Sequence, residues 1–118
     1  MKKTIITFEE FEQAVMQKML EEETAMNTAL REQYRRAHIE SREFTGVGFF
    51  TNFKIPDDAP RVLNFTDYGY GDVIVNINNH HDFGGFVIFI QDGIMLCLEG
   101  YTFTESWPEV IKSYKLYR

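Results

Sequence analysis

Two apolar runs separated by a turn signal constrain the fold of this chain more than any other feature. Residues 86–90 form the first run and residues 94–98 the second, and Asp92-Gly93 stands between them. Aspartate followed by glycine between apolar strands is typical of a β-hairpin. We therefore predict an antiparallel hairpin within residues 83–100. Because both of its strands are apolar on both faces, we expect it at the centre of a sheet that is covered on both sides.

The register of this hairpin depends on the length of its turn. A two-residue turn at Asp92-Gly93 sets Ile88 opposite Cys97, whereas a three-residue turn sets Ile88 opposite Leu96. The two registers place different side chains on each face of the sheet. The sequence leaves both registers open.

A long amphipathic helix precedes the hairpin. Thr7 and Glu10 match a capping box, in which both side chains satisfy free backbone N–H groups at the start of a helix. Apolar side chains then recur on one helical stripe, at Phe8, Phe11, Val15, Met19, Met26, Leu30, Tyr34 and Ala37. A continuous helix over residues 8–38 would be about 46 Å long, whereas a compact chain of this size is about 35 Å across. We therefore predict a break within residues 21–24. The alternative is a projecting half-helix that packs on a second copy of the chain.

The remaining pattern predicts two further strands, a loop and a second helix. Residues 44–55 are rich in aromatic and β-branched side chains, and residues 72–78 alternate between apolar and polar, so each is predicted to be a strand. Residues 56–71 between them contain two prolines and no sustained period, which predicts a long loop. Ser106 and Glu109 match a second capping box, and apolar residues follow at helical spacing.

Together these elements predict one domain. A chain of 118 residues has room for a single core. We predict an α+β domain over residues 1–118, in which the N-terminal helix packs on an antiparallel sheet of about four strands and a short helix ends the chain.

The composition indicates a cytoplasmic protein. No apolar run approaches the roughly 18 residues that span a bilayer, and glutamates follow the N-terminal lysines where a signal peptide would be apolar. The single cysteine, Cys97, is typical of a chain made in a reducing compartment. We expect no membrane partner.

The charge is distributed unevenly along the chain. The net charge is −6, and residues 54–109 contain two basic residues against nine acidic ones, a net charge of −7 for that segment. Nucleic-acid binding requires a positive surface for phosphates, so we expect no nucleic-acid partner. A basic protein partner remains open.

The chain carries no known catalytic signature. It has no G-x-S-x-G, no glycine-rich phosphate loop with lysine and no H-E-x-x-H. His80 and His81 are adjacent, so on an extended segment they point in opposite directions, and no third ligand lies at a recognised spacing. Cys97 falls in an apolar strand, which is typical of a small core residue. We predict no catalytic residue, no metal site and no cofactor.

An acidic and aromatic surface is the candidate binding site. It forms if the loop and the end of the second hairpin strand meet, because tyrosine buries area at interfaces and still forms hydrogen bonds. Glu99 would need arginine, tyrosine or backbone partners if it were buried. The candidate binding residues are Asp67, Tyr68, Tyr70, Asp72, Glu99 and Tyr101.

Three segments carry a resemblance to a known family. They read REFTGVGFFT at residues 42–51, GGFVIFI followed by Asp92-Gly93 from residue 84, and LEGYT at residues 98–102 followed by Trp107-Pro108. Together they resemble a family of short uncharacterised bacterial proteins. The resemblance implies a bacterial, cytoplasmic, single-domain protein and assigns a function to no residue.

Three hypotheses for the function follow. The first is a non-enzymatic protein-interaction module, for instance an immunity-type protein that neutralises a basic toxin through its acidic half. The second is a small-ligand-binding protein or enzyme with a carboxylate and aromatic pocket near residues 56–71. The third is a structural homodimer formed through the projecting half-helix.

Overall fold

The computed structural model describes residues 5–63, 68–103 and 106–118, with Tyr68 described by its backbone alone. In these residues the chain forms two helices and seven strands. The helices are α1 (Phe8–Met19) and α2 (Ala25–Arg36). The strands are β1 (His38–Phe44), β2 (Gly48–Lys54), β3 (Tyr68–Tyr70), β4 (Ile74–Ile77), β5 (His80–Gln91), β6 (Ile94–Thr102) and β7 (Tyr114–Tyr117).

The N-terminal helix is broken where the sequence predicted. Thr7 caps α1, its side-chain oxygen accepting a hydrogen bond from the Glu10 backbone N–H at 3.2 Å. The helix ends at Met19, and Thr24 caps α2 in the same way. Arg31 of α2 donates to the Leu20 carbonyl oxygen at 2.6 Å, which satisfies a free acceptor at the end of α1. The break therefore allows both helices to pack on the same sheet.

The sheet is antiparallel throughout, in the order β1-β2-β6-β5-β4-β7. The long strand β5 pairs with β6 along one edge, and along the other edge with β4 and then β3. The predicted count of about four strands was wrong. Strands β3 and β7 were not predicted because each is a short edge strand whose backbone partners lie far along the chain. Strand β1 was not predicted because its exposed polar residues lack an apolar alternation, although it forms a hairpin with the neighbouring β2.

The predicted C-terminal helix was also wrong. Ile111 forms an isolated bridge with Ile6, and residues 114–117 form β7 beside β4. The Asn78 side-chain oxygen accepts hydrogen bonds from the backbone N–H groups of Lys112 and Ser113, which holds this segment extended at the sheet edge. Tertiary pairing has overridden a local helical pattern.

The hairpin of β5 and β6 is central, as predicted, but its register is neither of the two alternatives. Asp92 and Gly93 form a two-residue turn with φ of 54° and 75°, so Gln91 faces Ile94. A bulge then falls at Leu96, and Ile88 faces Leu98. The bulge is needed because Met95 and Leu98 are three positions apart and are both fully buried. Without it they would lie on opposite faces.

One face of the sheet carries the core. Both helices lie on this face, where α1 and α2 pack against buried side chains of β2, β4, β5 and β6. The core contains Phe11, Val15, Met16, Met19, Leu30, Phe49, Phe53, Val75, Ile77, Phe86, Ile88, Ile90, Met95 and Leu98. Part of the predicted loop over residues 56–71 lies at the end of the central hairpin. Residues 56–63 pack at the hairpin turn, where the Val62 N–H donates to the Gly93 carbonyl oxygen at 3.0 Å.

Candidate binding surface on the open face of the sheet

The face of the sheet opposite the helices carries a second set of apolar side chains. We call it the open face. Strand register places these residues side by side across β2, β6 and β5, because directly paired residues point to the same side of a sheet. The open face comprises Phe50, Val87, Phe89, Leu96, Cys97, Glu99 and Tyr101. Phe89 is 36% exposed and Leu96 is 43% exposed.

A single carboxylate lies in the middle of this face. Phe50 of β2 and Val87 of β5 are the direct neighbours of Glu99 on either side, and Cys97 and Tyr101 flank it along β6. The Leu96 bulge brings Glu99 there, because in an unbroken strand Glu99 would point to the same side as the buried Met95.

Glu99 is partly desolvated, and no group within the described ranges neutralises it. Burial raises the pKa of its carboxyl group above the ordinary value. No hydrogen bond or ion pair to its carboxylate occurs among the described residues, so the internal partners expected from the sequence are not found there. A half-buried carboxylate of this kind is suited to receive a cation from outside.

The other polar groups of this face are already satisfied or remain neutral. The Asn52 amide donates to the Glu43 carboxylate at 2.9 Å and to the Ser41 hydroxyl at 3.0 Å. Burial, followed by the charges of Glu99 and Glu43, raises the pKa of the Cys97 thiol. A thiol with a raised pKa is a poor nucleophile, so Cys97 contributes apolar surface rather than reactivity.

Tyr101 forms one border of the open face. It pairs with Gly85 of β5, and its hydroxyl oxygen would lie 2.8 Å from a Cβ at that position, so the ring covers the glycine. Phe103 packs edge-on against the ring at 5.8 Å between centroids. Glycine at position 85 thus permits Tyr101 to lie flat on the sheet.

The six candidate binding residues do not form a single surface. Of the four whose side chains the structure describes, Glu99 and Tyr101 share the open face, and Tyr70 and Asp72 do not. Tyr70 pairs with Ile88 and packs on the core on the helix side, and Asp72 accepts a hydrogen bond from Arg118 at 3.1 Å. Asp67 lies outside the described residues, and of Tyr68 the structure gives only the backbone pairing with Ile90.

Several residues of this face were not singled out from the sequence. Phe50 and Phe89 each stand between two residues of the helix-facing side, so strand alternation alone indicated that they point the other way. Leu96 could not be found in this manner because its position depends on the bulge. The bulge follows from core packing, which is a tertiary property.

A second polar cluster lies beneath α1, on the helix side. Glu12 is 2% exposed, and Arg42 of β1 donates to its two carboxylate oxygens at 2.9 and 3.0 Å. The Thr51 hydroxyl of β2 donates to the same carboxylate. Burial, together with the charge of Glu12, raises the pKa of the nearby Tyr34 to about 12. These groups satisfy one another and attach α1 to the sheet.

The fold and this surface define a small α+β protein with a two-helix layer on one face of a seven-stranded antiparallel sheet and an apolar, acidic surface on the other. Comparison with protein-family models, with curated proteins and with solved structures finds no match. The family resemblance of the three sequence segments therefore stays a prediction. No helix within the described ranges is long and apolar enough to span a membrane. Within the same ranges, no group of three or more histidine, cysteine, aspartate or glutamate side chains is placed to hold a metal ion.

Proposed function

We propose that this protein is a non-enzymatic interaction module whose open face binds a basic surface of a partner protein. An immunity-type protein that neutralises a basic toxin is one instance of this class. The observation that carries the proposal is the Glu99 carboxylate, which no described residue pairs, among apolar side chains on a face that both helices leave uncovered.

The apolar component of the open face supports a protein partner. Phe89 and Leu96 are large and exposed, and Phe50, Val87 and Tyr101 continue the apolar surface around Glu99. Large apolar side chains grouped on one face are typical of an interaction surface. Aromatic side chains contribute most of the binding energy where they are fully desolvated by a partner.

The charge of the chain supports a basic partner. The net charge is −6, and residues 54–109, which include β5 and β6, have a net charge of −7 by themselves. A negative surface accelerates encounter with a positive one. An arginine or lysine of the partner would pair with Glu99 where water is partly excluded, and a charge-assisted hydrogen bond is strongest in such surroundings.

Crosslinking from a defined position tests the proposal in the native host. A photo-crosslinking amino acid replaces Phe89 on the open face in one variant and Gln17, an exposed residue of α1, in another. We expect the variant at position 89 to trap a basic protein that the variant at position 17 does not trap.

Measurements on the purified pair complete the test. Glu99→Gln is expected to weaken binding about tenfold through loss of a charge-assisted bond, and binding of the wild type is expected to weaken as salt rises. The proposal is wrong if the two crosslinking positions trap the same proteins, or if Glu99→Gln and Phe89→Lys both leave the affinity unchanged.

A further inference from the structure

A cavity of about 480 Å³ lies at the end of the molecule where α1 begins, and Glu99 does not line it. Three parts of the chain form its walls: the segment entering α1, the turn between β1 and β2, and residues 106–111. Two backbone hydrogen bonds hold these walls together, from the Trp107 N–H to the Gly46 carbonyl oxygen at 2.8 Å and from the Ile6 N–H to the Ile111 carbonyl oxygen at 3.0 Å. The cavity is therefore fixed by backbone contacts, and its volume falls in the range of small-ligand sites.

The lining of the cavity is aromatic and aliphatic. Trp107 packs on the core through Phe49 at 5.3 Å and Phe83 at 5.7 Å between ring centroids, and it also lines the cavity. Phe8 and Phe44 meet edge-on at 5.1 Å beside it. Phe44 is 60% exposed, which is unusual for a ring of this size outside a binding surface.

Among the described residues, the one ionisable side chain that lines this cavity is acidic. Glu109 belongs to the wall formed by residues 106–111, and its side chain is exposed at the rim. A carboxylate beside aromatic rings favours a ligand that is apolar along its length and positively charged at one end, because the charge contacts both the carboxylate and the ring faces. The net charge of −6 opposes entry of an anion such as a fatty acid.

We infer that this cavity binds a small organic cation with an apolar body, such as an alkylamine or an alkyl quaternary ammonium compound. The apolar body lies against Trp107, Phe8 and Phe44, and the cationic end lies toward Glu109. This site is separate from the open face, so an experiment that refutes ligand binding here leaves the proposed protein partner untouched, and the reverse also holds.

The fluorescence of Trp107 measures occupancy directly, because it is the single tryptophan of the chain. The full-length protein is titrated with octyltrimethylammonium, with octanol as the neutral analogue and with octanoate as the anionic one. We expect a saturable change in fluorescence, with the cation binding most tightly and octanoate least tightly. The indole N–H signal in an NMR spectrum is expected to shift in the same order.

Two variants and a matched control locate the site and its charge preference. Glu109→Gln is expected to lower the preference for the cation over octanol by about two- to fivefold. Asp57→Asn makes the same change in net charge at the opposite end of β2 and should leave the preference intact. Val110→Phe fills the cavity and is expected to weaken every probe about fivefold or more. Equal binding of the three probes, unchanged binding to Val110→Phe, or no saturable response would overturn the inference.

Discussion

The buried ion pair beneath α1 shows what one charged residue does for this fold. Glu12 is held by Arg42 and Thr51, so one carboxylate joins α1 to β1 and β2. Removing a single partner of a buried pair leaves the other charge uncompensated. This costs far more free energy than replacing both charged residues with apolar ones.

We predict that Glu12→Gln lowers the free energy of unfolding by about 3 kcal/mol. Glu9 is the matched control, since it also faces Arg42, at 3.7 Å, but its side chain is 62% exposed. Glu9→Gln should cost at most about 0.5 kcal/mol. Urea denaturation followed by circular dichroism measures both values. Equal losses in the two variants would show that burial of Glu12 does not matter.

Removing the charge of Glu99 is expected to stabilise the fold, whereas removing the charge of Glu12 is expected to destabilise it. Burial raises the pKa of its carboxyl group in the folded state, so the fold favours the neutral form. The resulting penalty is absent below the pKa of the unfolded chain, grows as the pH rises from the unfolded pKa to the higher folded pKa, and is fully present above the folded pKa. Glu99→Gln should therefore stabilise the protein at neutral pH, by at most about 0.5 kcal/mol because the carboxylate is still partly hydrated.

The pH dependence of unfolding tests whether Glu99→Gln stabilises the protein. Urea titrations at neutral pH and at about pH 3, below both pKa values, should show the gain of Glu99→Gln only at neutral pH. Glu43→Gln serves as the control, because Glu43 accepts a hydrogen bond from Asn52 and glutamine can still accept it. A loss of stability in Glu99→Gln at neutral pH would indicate that the carboxylate has an internal partner.

At the scale of elements, the turn of the central hairpin joins three parts of the molecule. The Gly93 carbonyl oxygen accepts from the Val62 N–H at 3.0 Å and from the Gln33 side chain of α2 at 2.9 Å. The oxygen of the same Gln33 amide accepts from the Met95 N–H at 2.9 Å. Gln33 is fully buried, so one amide side chain connects α2 to β6 through the hairpin turn.

We predict that Gly93→Ala is more destabilising than the same change at Gly46. Both glycines have positive φ, 75° and 89°, so each alanine costs about 1 kcal/mol of backbone strain. A Cβ at Gly93 would also lie 2.5 Å from the Val62 carbonyl oxygen, whereas a Cβ at Gly46 meets nothing within 4 Å. We expect a further loss of about 2 kcal/mol at Gly93. Thermal unfolding of the two variants tests this. Equal losses of stability would mean that the loop containing Val62 moves to accommodate the new Cβ at position 93.

The same elements show how far the sequence predicts this fold. Patterns that act within a few residues were sufficient for the start of α1 and for the Asp92-Gly93 turn, and the helix break followed from the length of the predicted helix against the size of the chain. The helix predicted for the C-terminal segment was wrong because pairing with β4, some forty residues earlier, overrides the helical spacing of the residues that form β7. The open face could not be predicted from the sequence for a related reason. The Leu96 bulge brings Glu99 to this face, and the bulge exists because both Met95 and Leu98 are buried in the core.

At the scale of the whole molecule, the elements that the structure describes cover the sheet on one side only. Phe89 and Leu96 are exposed on the other side, and Glu99 lies between the apolar side chains there. Two copies that met through this face would bring their Glu99 carboxylates together in partly apolar surroundings, which is unfavourable. A charge at the centre of an apolar face would therefore oppose self-association through that face.

We therefore predict that the wild type is monomeric at neutral pH and that Glu99→Leu self-associates. Removing the charge leaves a continuous apolar surface with no repulsion between copies, so the mass measured by light scattering should rise with protein concentration. Asp57→Leu is the control, because it removes the same charge at an exposed position outside the strands that form the open face. In the wild type, lowering the pH should produce the same association, since the raised pKa of Glu99 means that it loses its charge early in the titration. A wild-type dimer at neutral pH, or a Glu99→Leu variant that stays monomeric at high concentration, would contradict a role for this carboxylate in keeping the face open.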